Sequence, residues 1–214
     1  MVIGQGLLTS TDAAFSESKK KINWIYRIKP IVTSPSTKEK IVMSETREFI
    51  ALNIAVLTIS DSREAKNDKS GDLLVRHLTE DGHQLAQKSI VADDKYQIRE
   101  VISRWIADDA IQVVLTTGGT GVNGRDGTPE AVNPLLDKTI DGFGEMFRNL
   151  SYDTIGTSTL QSRALAGVAN GTYLFCMPGS PGACKDGWTK LITAQLDYRT
   201  RPCNLVELMP RLRE

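Results

Sequence analysis

Three nearly continuous apolar runs predict strands that are buried on both faces of a sheet. They occupy residues 52–59, 111–117 and 172–177. A strand with one solvent-exposed face alternates apolar and polar residues, whereas a strand that helices cover on both faces does not. The runs therefore indicate a largely parallel sheet that lies between two layers of helices.

Amphipathic segments between these runs predict the helices. In residues 95–106 the apolar positions recur at the i, i+3, i+4, i+7, i+8 spacing of one helical face. A second helix is predicted over residues 70–81, with Ser70 as its N-cap. Pro129 is expected at the first position of a third helix, and helical stretches are expected from there to residue 171.

The order of the elements completes the prediction of the fold. A weaker strand is predicted at residues 83–91, and a last helix is predicted from residue 182 to about Asp197. Strands that alternate with helices form β-α-β units, which build a parallel sheet with helices on both faces. The predicted fold class is therefore α/β, a three-layer α/β/α arrangement with a mostly parallel central sheet.

Composition and charge exclude several classes of function. The 214 residues include 26 Lys and Arg and 26 Asp and Glu, so the formal net charge is zero. Proteins that bind nucleic acid or anionic membranes need a basic surplus, and no apolar run approaches the ~18 residues of a membrane helix. Three cysteines and two histidines disfavour a disulfide framework and a multi-histidine metal centre. We expect a cytoplasmic protein without a nucleic acid or membrane partner.

The charge is unevenly distributed along the chain. Residues 1–42 contain seven basic and three acidic residues, are rich in Ser and Thr, and lack a helical or strand period. We predict a disordered or peripheral extension there, followed by a single domain at 43–214. Met43 opens the orderly part of the chain and is interpreted as an alternative start.

Three loops with the composition of a binding site follow the predicted strands. They span residues 60–71, 117–131 and 178–182, and they combine glycines with Ser, Thr and Asp. Parallel strands bring such loops together at one edge of the sheet. Glycines allow backbone N–H groups to approach an anion closely, and hydroxyls add donors. The loops therefore predict a site for a ligand that carries phosphate.

The second loop also fits a dinucleotide fingerprint, which is a competing interpretation. Gly119, Gly121 and Gly124 have the G-x-G-x-x-G spacing. In that motif the helix starts within the glycines, whereas here it is delayed to Pro129. Asp141 lies near the distance of the ribose-binding acid, but it does not end a predicted strand. The loop also lacks the Gly-Lys-Ser/Thr ending of a Walker A motif, so both nucleotide motifs are disfavoured.

Two carboxylates are candidates for metal-assisted chemistry. Asp126 lies in the Gly-rich loop, and Asp93 precedes a helix. Mg²⁺ is usually held by one or two carboxylates together with substrate phosphates. The structural alternatives are that Asp126 caps the helix at Pro129 or pairs with Arg125, and that Asp93 caps its own helix.

Five ordered motifs resemble a known family over residues 49–205. They are Thr117-Gly-Gly-Thr-Gly121, Arg125-Asp-Gly-Thr-Pro-Glu-Ala131, Gly142-Phe-Gly-Glu-Met-Phe-Arg148, Gly156-Thr-Ser-Thr-Leu-Gln-Ser-Arg163 and Met177-Pro-Gly-Ser-Pro181. In these motifs the chain resembles the MoaB/Mog family of molybdenum cofactor biosynthesis proteins. The resemblance implies binding of molybdopterin, a phosphorylated pterin dithiolene. In the Mog branch it also implies transfer of AMP from Mg-ATP to the molybdopterin phosphate, with release of pyrophosphate.

The resemblance also assigns roles to residues. It makes Asp126 a catalytic acid tied to Mg²⁺ and Asp93 a second catalytic carboxylate. The ligand-binding residues that it implies are Ser60, Asp61, Gly118, Gly119, Thr120, Gly121, Ser162, Arg163, Gly179 and Ser180. Mg²⁺ and ATP are the expected cofactor and co-substrate. The implied partners are other molybdenum cofactor synthesis proteins and further copies of the chain in a homo-trimer or hexamer. The alternative is a molybdopterin-binding or scaffold protein that has lost catalysis.

Overall fold

Six strands form one sheet. They are β1 (Asn53–Ile59), β2 (Gln84–Val91), β3 (Val113–Thr117), β4 (Lys138–Thr139), β5 (Leu165–Ala169) and β6 (Thr172–Met177). Their order is β2-β1-β3-β6-β5-β4, and the first four are parallel, whereas β5 and β4 are antiparallel to their neighbours. This computed structural model describes residues 47–214. The predictions for residues 1–42 and for Met43 lie outside the described residues.

Helices cover both faces of the sheet. They are α1 (Lys69–Glu80), α2 (Lys95–Ile106), α3 (Thr128–Val132), α4 (Asp141–Ile155), α5 (Pro181–Gly187) and α6 (Thr193–Leu196), with π-helical Trp188–Ile192 between the last two. One apolar core joins the sheet to α1, α4 and the α5–α6 segment. A second core joins the other face to α2 and α3. The predicted three-layer α/β/α fold is therefore confirmed.

The helical expectation for residues 129–171 is wrong at two places. Strands β4 and β5 lie there, and β5 forms a hairpin with β6. The turn consists of Asn170 and Gly171, whose φ angles are 48° and 79°. Two-residue hairpins favour Asn-Gly because both positions need positive φ. Strand β5 has the sequence Leu-Ala-Gly-Val-Ala, which is too short and too rich in small residues to be distinguished from a helix by pattern alone.

The predicted start of α1 is also corrected. Asp68, rather than Ser70, is the N-cap, because its carboxylate accepts the N–H of Gly71 at 3.0 Å. The same fully buried carboxylate accepts the Thr58 hydroxyl and lies 3.0 Å from the Lys88 ammonium. Ser70 is the second residue of the helix. Similarly, α3 begins one residue before Pro129.

The strand order determines where a ligand can bind. The chain leaves β1 for β2 on one side and later returns to β3 on the other side. Loops at such a switch point diverge and leave a crevice at the carboxyl ends of the strands. The three predicted loops meet there. Gly118 donates its N–H to the carbonyl of Met177 at 3.0 Å, which joins the loop after β3 to the end of β6.

Candidate functional site

A cavity of about 560 Å³ opens at the carboxyl ends of β1, β3 and β6. Its volume falls within the range of about 300–1,000 Å³ that is typical of small-molecule sites. All three predicted loops contribute to its wall. The predicted site residues that line it are Ser60, Asp61, Asp93, Gly118, Gly119, Thr120, Gly121, Asp126, Ser162, Gly179 and Ser180. The tertiary structure thus brings together residues that lie up to 120 positions apart in the sequence.

The Gly-rich loop packs closely against its neighbours because Gly118 and Gly119 have no side chain. Gly118 and Gly119 have φ angles of 109° and 63°, in the region that favours glycine. A Cβ on Gly118 would collide with the carbonyl of Ile59. A Cβ on Gly119 would collide with the Thr128 hydroxyl and would lie 2.8 Å from a carboxylate oxygen of Asp93. The loop therefore presents backbone to the cavity.

The third loop is joined to the first by Arg63, which sequence reasoning did not single out. The guanidinium donates to the carbonyl of Gly179 at 2.7 Å and to the Ser70 hydroxyl, and it lies 3.7 Å from the carboxylate of Asp68. Ser180 caps α5, since its hydroxyl accepts the Ala183 N–H. Arg63 lines the cavity and thus adds positive charge beside Gly179.

Three carboxylates gather at the other side of the cavity. Asp61 accepts the backbone N–H of Asp93 at 3.0 Å and forms a two-point ion pair with Arg125. The carboxylate of Asp93 accepts the N–H of Gly127 at 3.2 Å. Asp126 accepts the N–H of Asn123 at 2.7 Å. The cavity therefore has an acidic side towards α2 and α3 and a cationic side at Arg63.

The structure removes the structural alternatives that the sequence left open for Asp93 and Asp126. Asp94, not Asp93, caps α2 by accepting the N–H groups of Tyr96 and Gln97. The N-cap of α3 is Gly127, and Arg125 pairs with Asp61 instead of Asp126. Both carboxylates line the cavity. Their catalytic roles remain predictions.

Electrostatics distinguish Asp93 from its neighbours. Burial, together with the nearby charges of Asp126 and Asp61, raises the pKa of Asp93 above its ordinary value. The hydrogen bonds from Arg125 lower the pKa of Asp61. Carboxyl groups with perturbed pKa values in a cleft are candidates for functional sites, because unfavourable charge is often kept there for a ligand.

Asp93→Asn is expected to raise the unfolding temperature at pH 7 without added metal. Because the folded-state pKa of Asp93 lies above the unfolded value of 3.8, the protonated carboxyl stabilises the fold relative to the ionised one. This stabilisation is complete below pH 3.8 and is lost as the pH rises through the folded-state pKa. Thermal unfolding at pH 3 and pH 7 measures the difference, which should appear only at pH 7. Added Mg²⁺ should stabilise the parent chain more than the variant. Equal unfolding temperatures at pH 7 would contradict this account.

The acidic side of the cavity offers carboxylates, the donor type that Mg²⁺ takes in proteins. Among residues 47–214, no group of three or more His, Cys, Asp and Glu side chains is arranged to hold a metal. Mg²⁺ usually keeps several waters and takes only one or two carboxylates alongside substrate phosphates. Asp126 and Asp93 supply that number, and burial beside like charge at Asp93 is the imbalance that a cation would relieve.

Ser162 and Arg163, which the family resemblance places together, lie differently. Ser162 is in the cavity wall. The guanidinium of Arg163 instead donates to the carbonyls of Gly121 and Asp126, at 2.7 and 2.8 Å, and pairs with Glu130. Arg163 therefore holds the Gly-rich loop and does not line the cavity.

Helix α4 and the 3₁₀ turn after it add a wall that sequence reasoning missed. Its residues are Phe147, Ser151, Ile155, Ser158 and Gln161. The first three recur at i, i+4 and i+8, which places them on one helical face. That spacing was the available signal, but nothing local connects α4 to loops that follow strands. The wall combines two apolar side chains with hydroxyl and amide groups.

Buried thiols and the buried histidine offer no nucleophile or base to the cavity. Burial raises the pKa of Cys176 to about 12 and that of Cys184 to about 11, so both stay protonated at neutral pH. Burial lowers the pKa of His83, whose ring accepts the N–H of Leu52 at 3.2 Å.

In the part of the chain that the structure describes, no helix is long and apolar enough to cross a membrane.

The fold and cavity define an α/β protein of the class that binds small molecules at the carboxyl edge of its sheet. A family model described as a probable molybdopterin binding domain matches residues 55–198. Molybdenum cofactor biosynthesis protein B of Escherichia coli K12 is 54% identical over 157 residues, covering 73% of this chain and 92% of that protein. The Bacillus cereus protein of that name is 46% identical over 146 residues, covering 68% and 86%.

Solved structures agree with the sequence matches. A crystal structure of a molybdenum cofactor biosynthesis protein B has a TM-score of 0.68 and 44% identity, covering 70% of this chain and 94% of that one. The tungsten cofactor synthesizing protein MoaB from Pyrococcus furiosus has a TM-score of 0.65 and 32% identity, covering 77% and 98%. The chain therefore belongs to the molybdopterin-binding family of molybdenum cofactor biosynthesis proteins, which confirms the resemblance seen in its motifs.

Proposed function

We propose that this protein binds molybdopterin in the cavity at the carboxyl ends of the strands and transfers AMP from Mg-ATP to the molybdopterin phosphate. The observation that carries the proposal is the convergence on one cavity of three phosphate-compatible loops and two carboxylates, Asp93 and Asp126, each of which accepts a backbone N–H. The wall from α4 supplies the apolar and hydrogen-bonding surface for a pterin ring. The family membership supports the choice of ligand.

The proposed reaction requires alignment more than proton transfer. An oxygen of the molybdopterin phosphate attacks the α-phosphorus of ATP, a new P–O bond forms, and the bond to the β-phosphate breaks with its electron pair leaving on pyrophosphate. A phosphate monoester is already an anionic nucleophile, so no histidine base is needed. Catalysis then consists of positioning and charge stabilisation.

Residues on the two sides of the cavity have different roles in the proposed positioning and charge stabilisation. Asp126 and Asp93 would hold the metal ion, which when bound neutralises charge on the ATP phosphates. Backbone N–H groups of the Gly-rich loop other than that of Gly118, which donates to Met177, would donate to the phosphates, and the lack of a Cβ at Gly119 would leave room for their approach. Arg63 supplies positive charge on the opposite side, beside Gly179.

The deciding experiment is an assay for AMP transfer with purified protein, molybdopterin and Mg-ATP. Formation of adenylylated molybdopterin and pyrophosphate in equal amounts is the expected result. Absence of product with molybdopterin binding intact would instead indicate the binding or scaffold protein. Binding of NADH or a flavin in the same cavity would favour the dinucleotide interpretation of the Gly-rich loop.

We further propose that the chain forms a homo-trimer or hexamer. Large apolar side chains remain exposed along α4 and the turn after it, namely Met146, Tyr152, Ile155 and Leu160. Clustering of exposed apolar side chains is typical of association surfaces. Light scattering should give a mass of three or six times 23.5 kDa. The double substitution M146E/L160E should lower that mass, and a monomeric parent chain would contradict the proposal.

A further inference from the structure

Arg163 makes an unusual number of contacts with one loop. Its backbone N–H donates to the carbonyl of Thr120 at 2.9 Å, and its side chain donates to the carbonyls of Gly121 and Asp126. These acceptors lie at both ends of the segment 120–126. One side chain therefore closes the loop on itself, as a fork-shaped guanidinium can and a single-point donor cannot.

A carboxylate holds the guanidinium in place. Glu130, at the third position of α3, pairs with Arg163 on the side away from the loop carbonyls. This pairing holds the pKa of Glu130 below its ordinary value. The guanidinium of Arg163 therefore donates to two carbonyls and a carboxylate, all of which are protein groups.

The segment that Arg163 closes is the one that positions Asp126. The Asp126 carboxylate accepts the Asn123 N–H from within the segment, and a Cβ on Gly121 would lie only 2.6 Å from that carboxylate. The orientation of the carboxylate thus depends on the course of the backbone between residues 121 and 126. Arg163 binds both of those end residues through their carbonyl oxygens.

We propose that Arg163 is a positioning residue that sets the orientation of Asp126 by closing the 120–126 loop, with Glu130 as its anchor, and that it does not contact the ligand. The inference rests on the proposed function, in which Asp126 holds the metal ion. It differs from what the family resemblance implies for Arg163, which is a place in the ligand-binding wall. A displaced carboxylate impairs a reaction that depends on alignment.

Arg163→Lys tests the inference, with Arg99→Lys as the matched control. Arg99 also donates to two carbonyls, those of Glu130 and Ala131, but both belong to α3 and not to the 120–126 loop. R163K is expected to lower kcat for AMP transfer by about 100-fold with the KM for molybdopterin within about twofold of the parent value. R99K is expected to leave both unchanged.

Two further measurements do not depend on turnover. Hydrogen exchange at the Asn123 amide should speed up by about tenfold in R163K, because that amide donates to Asp126. Binding of Mn²⁺, used as a paramagnetic probe for Mg²⁺, should weaken by about tenfold. R99K should match the parent chain in both. If the parent chain transfers no AMP, the proposed function fails, while these two measurements still decide the role of Arg163.

The opposite outcomes are equally clear. A raised KM with unchanged kcat would make Arg163 a ligand contact and overturn the inference. So would equal changes in R163K and R99K, which would indicate general destabilisation.

If R163K does not fold, Glu130→Gln is the second test, because it removes only the charge that anchors Arg163. E130Q should shift Asn123 exchange and Mn²⁺ binding in the same direction by a smaller factor, and unchanged values would overturn the inference.

Discussion

Replacing Asp126 by Asn is expected to lower AMP transfer by about 100-fold or more while the fold and molybdopterin binding are retained. The two side chains have the same shape, and an amide oxygen can still accept the N–H of Asn123. What is lost is the negative charge that would hold a magnesium ion. The variant therefore separates charge from geometry at this position.

Single-turnover kinetics over a series of Mg²⁺ concentrations is the measurement. Asp94→Asn is the matched control, because Asp94 follows Asp93 in the chain but caps α2 and does not line the cavity. Asn is as good an N-cap as Asp, so this control should keep both stability and turnover. Turnover in D126N at the parent rate would remove Asp126 from the mechanism. Loss of molybdopterin binding in D126N would show that the carboxylate acts on the ligand's affinity instead.

Gly119→Ala is expected to lower both stability and ligand binding. The left-handed backbone at φ 63° costs a residue with a Cβ about 1–2 kcal/mol, which corresponds to ~2–8 °C in unfolding temperature for a domain of this size. The new methyl group would also displace the Thr128 hydroxyl and the Asp93 carboxylate. Because Asp93 borders the cavity, the substitution alters the site as well as the loop.

Gly124→Ala provides the comparison, since it lies in the same loop and a Cβ there meets nothing within 4 Å. Differential scanning calorimetry and isothermal titration with molybdopterin should show G124A close to the parent chain and G119A impaired in both. If the two variants behave alike, the close approach of Gly119 to Thr128 and Asp93 has no energetic consequence. That result would also weaken the argument that the loop must be free of side chains.

The fold was predictable wherever burial leaves a strong local pattern. Strands β1, β3 and β6 are continuous apolar runs, and α2 carries one unbroken apolar face with every core position buried except Ile106. Strands β4 and β5 were missed because β4 has only two exposed residues and β5 depends on pairing with β6. The Asn170-Gly171 turn was the local signal that was overlooked.

The site was predictable as composition but not as geometry. The sequence shows that glycines, hydroxyls and acids follow buried strands, and the parallel topology requires those loops to meet. The sequence does not show that Asp94 caps α2 while Asp93 lines the cavity. Nor does it show that Arg125 pairs with Asp61 and not with Asp126. Hydrogen-bond partners are chosen among several nearby groups, and that choice depends on distances of a few tenths of an ångström.

By itself, therefore, the sequence determined the three-layer fold, the edge of the sheet at which the cavity opens, and the family. Apolar periodicity and ordered motifs are local properties of the sequence, so they can be recognised without knowledge of the packing. Only the tertiary structure decided that α4 forms a wall of the cavity and that Arg163 holds the loop from outside it. Those roles depend on contacts between residues far apart in the chain, whose geometry exists only once the core of the sheet has packed.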